Sequence, residues 1–94
     1  MNENDIVKAI GKVIDDLRKE YTEYHGQYKL LTHFGNLNFE MGKYFALTEL
    51  LKAYMPDSGN PFDCTLVRIY EENKPLIEVV TEYCDKQYGK LKEA

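Results

Sequence analysis

The 94-residue chain has only one serine, two histidines and two cysteines, so serine and cysteine nucleophiles and imidazole and thiolate metal ligands are scarce. His25 and His33 are eight residues apart in the sequence, about 12 Å along a helix, and neither belongs to an HExxH or Glu-x-x-His motif. The six glycines are scattered, so no glycine-rich phosphate-binding loop is present. The sequence therefore predicts no catalytic residue, no metal ligand and no cofactor.

Long apolar runs are also absent, and none approaches the roughly 18–20 residues that a membrane-spanning helix needs. The segment Met1–Asp5 is polar and acidic, whereas a signal peptide begins with basic residues followed by an apolar stretch. Cys64 and Cys84 are 20 residues apart, about 30 Å along a continuous helix, and a disulfide requires Cα atoms within about 7 Å. We therefore expect two reduced thiols, no membrane insertion and a cytoplasmic location.

Neither sign of charge dominates, because 16 acidic and 12 basic residues interleave along the chain and the formal net charge is −4. Proteins that bind nucleic acid usually present a basic patch or stripe, so this composition argues against a nucleic-acid partner. A nucleic-acid-associated helical dimer is kept as an alternative hypothesis, with Lys86, Lys90 and Lys92 as its basic face.

Alternating strand patterns are missing as well, and apolar residues recur at the three- and four-residue spacing of α-helices. The first predicted helix spans residues 4–33, with Asn2 or Asn4 as its N-cap. Its apolar stripe keeps its phase past Gly26, so we expect the helix to continue through this glycine; an end at Gly26 is the alternative. The stripe comprises Ile6, Ile10, Val13, Leu17, Tyr21, Tyr24, Tyr28 and Leu31.

The second predicted helix follows a break at Phe34–Asn38, where Gly35 suits a left-handed helix end. It spans residues 37–54, because Pro56 disfavours helical geometry at the residue before it. Its apolar residues form two nearly opposite faces, so we expect this helix to be central or to face a partner. One face comprises Leu37, Met41, Tyr44, Phe45, Leu51 and Met55, and the other comprises Phe39, Leu47, Leu50 and Tyr54.

The third predicted helix spans residues 61–92 and contains Pro75, which removes one hydrogen bond from a helix. Its apolar stripe keeps its register across Pro75, so we expect a kink there, with a break into two helices as the alternative. Long helices joined by short connections become antiparallel neighbours. The sequence therefore predicts an all-α fold, a single domain over residues 1–94, built as an antiparallel bundle of three long helices.

Tyrosine outnumbers phenylalanine by eight to four. Protein interfaces are enriched in tyrosine because its side chain tolerates a half-wet position; the alternative is that these tyrosines cap the ends of the core. The small residues Gly42, Ala46 and Ala53 would let another helix approach the second helix closely, unless they serve simple core packing. We predict a homodimer and an unidentified protein partner. The candidate interaction residues are Tyr21, Tyr24, Tyr28, Phe39, Leu47, Tyr54, Tyr83 and Tyr88.

The segment Asn38–Leu51, with the sequence NFEMGKYFALTELL, resembles small helical accessory proteins of Gram-positive phages and prophages. Many of those proteins carry a Gly-x-x-x-Ala-Leu helix start like the one at residues 42–47. The resemblance covers about a seventh of the chain and assigns no functional residue. Small helical bacteriocin-immunity proteins are similar in size and class, but no motif of this chain links it to them.

These observations favour a non-enzymatic protein–protein interaction module, a small regulator, inhibitor or adaptor that acts through a helix face. A phage or mobile-element origin agrees with the resemblance. The alternatives are the nucleic-acid-associated dimer and a small metal-binding protein or enzyme, which would need a pocket lined by His25, His33 or a cysteine.

Overall fold

The chain folds into three helices in a computed structural model that describes residues 2–54 and 65–93, with side chains up to residue 90. Within these ranges it forms α1 (Glu3–Glu23), α2 (Leu30–Tyr54) and α3 (Thr65–Glu93), and no strand. The predicted all-α bundle of three long helices is confirmed. The predicted start of the third helix at residue 61, and Cys64, lie outside the described residues.

Helix α1 begins at a capping box formed by Asn2 and Asp5. The Asn2 side chain accepts a hydrogen bond from the Asp5 amide at 2.9 Å, and the Asp5 carboxylate accepts one from the Asn2 amide at 3.3 Å. This reciprocal pair satisfies two amides that a helix start leaves without partners. Asn2, one of the two predicted caps, is therefore the N-cap. The buried face of α1 comprises Ile6, Ile10, Val13, Ile14 and Leu17.

Helix α1 ends at Glu23, so the prediction that it continues through Gly26 to residue 33 is wrong. Tyr24 is already extended, and Gly26 has a φ of +82°, a left-handed conformation that glycine adopts without the Cβ penalty. The Gln27 side chain supports this end, because its amide donates to the Glu23 carbonyl at 2.7 Å and its oxygen accepts from the His25 amide at 2.5 Å. The apolar spacing of three and four residues continues through Tyr24 and Tyr28, although residues 24–29 form a turn and not a helix.

The predicted break at Phe34–Asn38 is also wrong, because α2 begins at Leu30 and is helical through this segment. A glycine inside a helix costs about 1 kcal/mol relative to alanine, whereas burying one large apolar side chain gains roughly 1.5–3 kcal/mol. Several such side chains are buried here, so burial outweighs the local signal of Gly35. The buried residues of α2 are His33, Phe34, Leu37, Met41, Tyr44, Thr48 and Leu51. Its end at Tyr54 agrees with the prediction.

The core shows how the helices run relative to one another. One buried cluster joins the start of α1 (Ile6) to the end of α2 (Leu51) and the start of α3 (Leu66). The other cluster joins Leu17 of α1 to Leu37 of α2 and to Val80 in the second half of α3. Helix α2 is therefore antiparallel to both of its neighbours.

Helix α3 runs without interruption through Pro75, so the alternative of two separate helices is wrong. It has fewer close backbone approaches to the other helices than α1 and α2 have to each other. The described chain measures 50 × 22 × 18 Å, with a Cα radius of gyration of 15.4 Å, against about 12 Å for a compact chain of this length. Such an elongated bundle exposes a large share of its side chains.

Candidate interaction surface

The side of α2 that faces away from the core carries a row of residues without a charged or hydrogen-bonding side chain. At 100° per residue, these positions fall within one sector of the helix, centred opposite the buried Leu37. Lys43 and Glu49 border the row on opposite sides. We call this row the α2 outer stripe, and its seven residues are Leu31, Gly35, Phe39, Gly42, Ala46, Leu50 and Ala53, all exposed.

Three large apolar side chains of the α2 outer stripe reach solvent. Leu31 is 68% exposed, Phe39 is 64% exposed and Leu50 is 39% exposed. Phe45 and Tyr54 flank the stripe and are half exposed. A surface helix normally places polar residues on its outer side, so this row is an apolar patch that the other described residues do not cover.

The two glycines of the stripe have no intramolecular reason to be glycine. A Cβ atom added to Gly35 or Gly42 would meet no atom within 4 Å, and neither residue has a positive φ. Each costs the helix about 1 kcal/mol relative to alanine. The monomer would therefore be more stable with a larger residue at either position.

One candidate residue of the stripe, Phe39, carries a cation above its ring. The Lys43 ammonium lies 4.7 Å from the ring centroid and 3.0 Å from Oε1 of Glu40. Oε2 of Glu40 is buried without a hydrogen-bond partner among the described groups. Because Glu40 neutralises Lys43, the border of the stripe carries little net charge on this side.

Leu47, another candidate, does not belong to the stripe. It is half-buried and packs against the core cluster that contains Tyr44 and Leu51. The sequence places Leu47 on the same face as Phe39 and Leu50, but α1 and α3 cover the sector of α2 that contains Leu47. Phe45, on the other predicted face, is exposed. Leu31, predicted to lie on the stripe of the first helix, instead lies on the outer side of α2.

Four of the other candidate tyrosines, Tyr21, Tyr24, Tyr28 and Tyr83, lie near the turn between α1 and α2. The Tyr24 ring stacks on His33 with centroids 3.8 Å apart, and Tyr83 of α3 meets Tyr21 edge-on at 5.4 Å. Tyr83 also contacts the rings of His33 and Phe34. Tyr21 thus packs on Tyr83, and Tyr24 packs between His33 and the Tyr28 ring, whose centroid is 5.1 Å away. The rings of Tyr28, Tyr54 and Tyr88 are exposed. A role of these tyrosines in partner contact stays a prediction.

A carboxylate on α1 holds this turn in place. Glu20 accepts hydrogen bonds from the Tyr28 hydroxyl and from Nδ2 of Asn36 at 2.8 Å, and Nδ1 of His33 lies 2.7 Å from its Oε2. Burial raises the pKa of Glu20, but the hydrogen bonds from Tyr28, His33 and Asn36 outweigh it, so its pKa lies below the ordinary value. The hydrogen bond to Glu20 raises the pKa of Tyr28.

The sequence does not predict this network, because it places His33 at the last position of the first predicted helix. His33 is instead 1% exposed and lies in the buried row of α2, one turn before Leu37. The four-residue spacing of His33 and Leu37 indicates one buried helix face, but the incorrectly predicted break at Phe34–Asn38 assigned these two residues to different helices. His25 is exposed in the turn.

The side chains that could hold a metal ion do not cluster among the described residues. No group of three or more His, Cys, Asp or Glu side chains in residues 2–54 and 65–90 could hold a metal ion. Burial, followed by the nearby Asp85 carboxylate, raises the pKa of the Cys84 thiol, which disfavours the nucleophilic thiolate. Within the described part of the chain, no helix has the length and apolarity that crossing a bilayer requires.

The alternative hypothesis of nucleic-acid binding requires a basic face formed by Lys86, Lys90 and Lys92. One of the two described lysines of this face is paired with a carboxylate. Lys86 and Lys90 are exposed, and Lys86 lies 3.8 Å from the Glu82 carboxylate in an i,i+4 ion pair. Lys92 lies outside the described side chains. The partial neutralisation of Lys86 leaves little positive potential for a phosphate backbone to recognise.

The chain matches no protein-family model, and no curated protein or solved structure is significantly similar to it. The case for a function therefore depends on the geometry of this chain.

Proposed function

We propose that the protein is a non-enzymatic protein–protein interaction module, a small regulator, inhibitor or adaptor, that docks through the α2 outer stripe. The observation that carries this proposal is the exposure of Leu31, Phe39 and Leu50 in a single uncharged row. Scattered exposed apolar residues are normal on a protein surface, whereas an aligned row of them marks an interaction site.

The chemistry of the stripe favours a protein surface as its target. Proteins that lie on membranes or bind nucleic acid surround the contact with several lysines or arginines. The stripe is bordered instead by one base, Lys43, which Glu40 neutralises, and by one acid, Glu49. An apolar helix face of this kind suits a hydrophobic groove or another helix face.

Two further observations agree with the proposal. The segment that resembles phage accessory proteins includes Phe39, Gly42, Ala46 and Leu50 of the stripe, which is consistent with a phage or mobile-element origin. The proposal includes a cytoplasmic location, because a reducing compartment would keep the half-buried thiol of Cys84 reduced.

Affinity capture from an extract of the source organism tests this function. Phe39→Gln and Leu50→Gln remove apolar contact from the stripe, and Val79→Gln on α3 is the matched control because Val79 is exposed to a similar degree as Leu50. We expect the wild type and Val79→Gln to retain the same protein and both stripe variants to lose it, with unchanged far-UV circular dichroism. Equal retention by all four proteins would refute docking through the stripe.

A further inference from the structure

We infer that the α2 outer stripe binds the same stripe of a second copy of this chain, with the two α2 helices antiparallel. This inference rests on the proposed function and names the occupant of the docking surface. In a symmetric dimer the same surface of both copies forms the interface, related by a two-fold axis. The stripe of one copy must therefore fit the same stripe of the second copy.

The order of large and small residues along the stripe meets this requirement. In an antiparallel pair, residue i of one helix faces residue j of the other when i and j have a constant sum. With a sum of 81, Phe39 faces Gly42 of the second copy, Gly35 faces Ala46, and Leu31 faces Leu50. Each pairing occurs twice because of the two-fold axis.

The central pairing explains a glycine that the monomer does not need. The exposed ring of Phe39 would enter the space that the missing side chain of Gly42 leaves on the second copy, and the converse contact would form on the other side of the axis. Small residues at a helix crossing allow the two backbones to approach closely. In a parallel pair, Phe39 would face Phe39 and Gly42 would face Gly42, so the rings would collide and the gaps would stay empty.

The extent of the contact indicates a weak dimer. From Leu31 to Leu50 the stripe is about 29 Å long, at about 1.5 Å per residue. One pair of helices of this length buries less than the roughly 800 Å² per partner of a standard interface. We therefore expect a dissociation constant on the order of 10–100 µM.

Sedimentation equilibrium of the full chain, from about 5 to about 500 µM, tests self-association around that constant. We expect the mean mass to rise with concentration from the 11.0 kDa of one chain toward twice that value. A mass of one chain throughout this range would overturn the inference.

A pair of glycine substitutions tests whether the stripe is the contact. In Gly42→Ala the new methyl group lies in the path of Phe39 of the second copy, so we expect dimerisation to weaken about tenfold or more. Gly11→Ala is the control, since Gly11 is also an exposed helical glycine with open space around it but lies on α1. Equal dissociation constants for the two variants would contradict the contact.

Disulfide trapping tests the direction and register of the helices. Gly35→Cys and Ala46→Cys are prepared as separate proteins in a background with Cys64→Ala and Cys84→Ala, and are oxidised alone and as a mixture. We expect a covalent dimer in the mixture only, because position 35 of one copy faces position 46 of the other. Cross-linking of each variant with itself would show a parallel pair and would overturn the antiparallel arrangement.

The inference and the proposed function can fail separately. If the chain stays monomeric while Phe39→Gln and Leu50→Gln still abolish capture of another protein, the second copy is wrong and docking through the stripe stands. If the chain dimerises and Phe39→Gln leaves both the dimer and the capture intact, both are wrong.

Discussion

Helix α2 has apolar residues on two opposite faces, and within residues 2–54 and 65–90 helices α1 and α3 cover only one of them. Leu37 and Leu51 of the inner face are fully buried, whereas Phe39 and Leu50 of the α2 outer stripe are exposed. The difference arises because α1 and α3 both pack on the same side of α2. The apolar residues of α1 and α3 pack against the inner face of α2. An apolar residue of α2 therefore stabilises the monomer only when it lies on that inner face.

The adjacent residues Leu51 and Leu50 give the largest expected contrast between the faces. Leu51→Ala should lower the free energy of unfolding by about 3 kcal/mol, because it removes buried methyl groups and leaves a cavity. Leu50→Ala should lower it by less than about 0.5–1 kcal/mol, since the side chain is 39% exposed. Urea denaturation at low micromolar protein concentration, where the proposed dimer is dissociated, measures both. Similar losses would mean that the monomer covers the outer stripe.

The inner face includes one aromatic polar residue, His33, and its removal should have the second largest effect. His33→Ala removes the stack on Tyr24 and one partner of Glu20, so we expect a loss of about 2 kcal/mol in the free energy of unfolding. The matched control is His25→Ala, because His25 is exposed in the neighbouring turn. A loss below about 0.5 kcal/mol for His33→Ala would show that this contact is not part of the stabilising core.

The glycines of the outer face should respond in the opposite direction from the leucines of the inner face. Gly42→Ala should raise the free energy of unfolding of the monomer by about 0.5–1 kcal/mol, because alanine is the better helix former and its Cβ meets no atom. Gly11→Ala should raise it by a similar amount. Thermal unfolding at low protein concentration compares the two with the wild type. Destabilisation by Gly42→Ala alone would reveal an intramolecular contact at the outer stripe.

The smallest expected effect concerns pH and the Glu20 network beside the inner face. Because the pKa of Glu20 is below its ordinary value in the folded protein, the folded state binds a proton at Glu20 less readily than the unfolded state. Its contribution to stability is therefore complete at neutral pH and is lost as the pH falls from the ordinary carboxyl range through the lowered pKa.

Denaturation of wild type and Glu20→Gln between about pH 7 and about pH 3 measures this contribution. We expect the stability advantage of the wild type over Glu20→Gln to shrink toward acid pH. An advantage that stays constant or grows at acid pH would mean that Glu20 is not stabilised as a carboxylate.

Local sequence signals correctly predicted the helical class and the end of α2 at Tyr54, and they included Asn2 as one of two possible caps of α1. They were misleading where a glycine had two possible roles. Gly26 ends a helix and Gly35 lies inside one, and the choice depends on which flanking residues the other helices bury. Such tertiary burial is invisible to a pattern along one helix.

The candidate surface was predictable in part for the same reason. Two apolar faces on the second helix were visible in the sequence, with Phe39 and Leu50 on one of them. Which face is covered depends on how α1 and α3 pack, and the pattern along one helix does not show this. Leu47, a candidate interaction residue, is half-buried, and Phe45 of the other predicted face is exposed. The exposed position of Leu31 required the correct start of α2.

The short turn at residues 24–29 has a consequence for how the chain folds. The contacts of α1 with α2 that lie beside this turn join residues close in sequence, because Glu20 bonds Tyr28 and His33, which follow it by 8 and 13 residues. Local contacts of this kind form early because they close short loops. We expect the α1–α2 hairpin to form first, and α3, which shares less of the core, to detach and reattach while the hairpin persists. Amide hydrogens of α3 should then exchange with solvent faster than those of the hairpin.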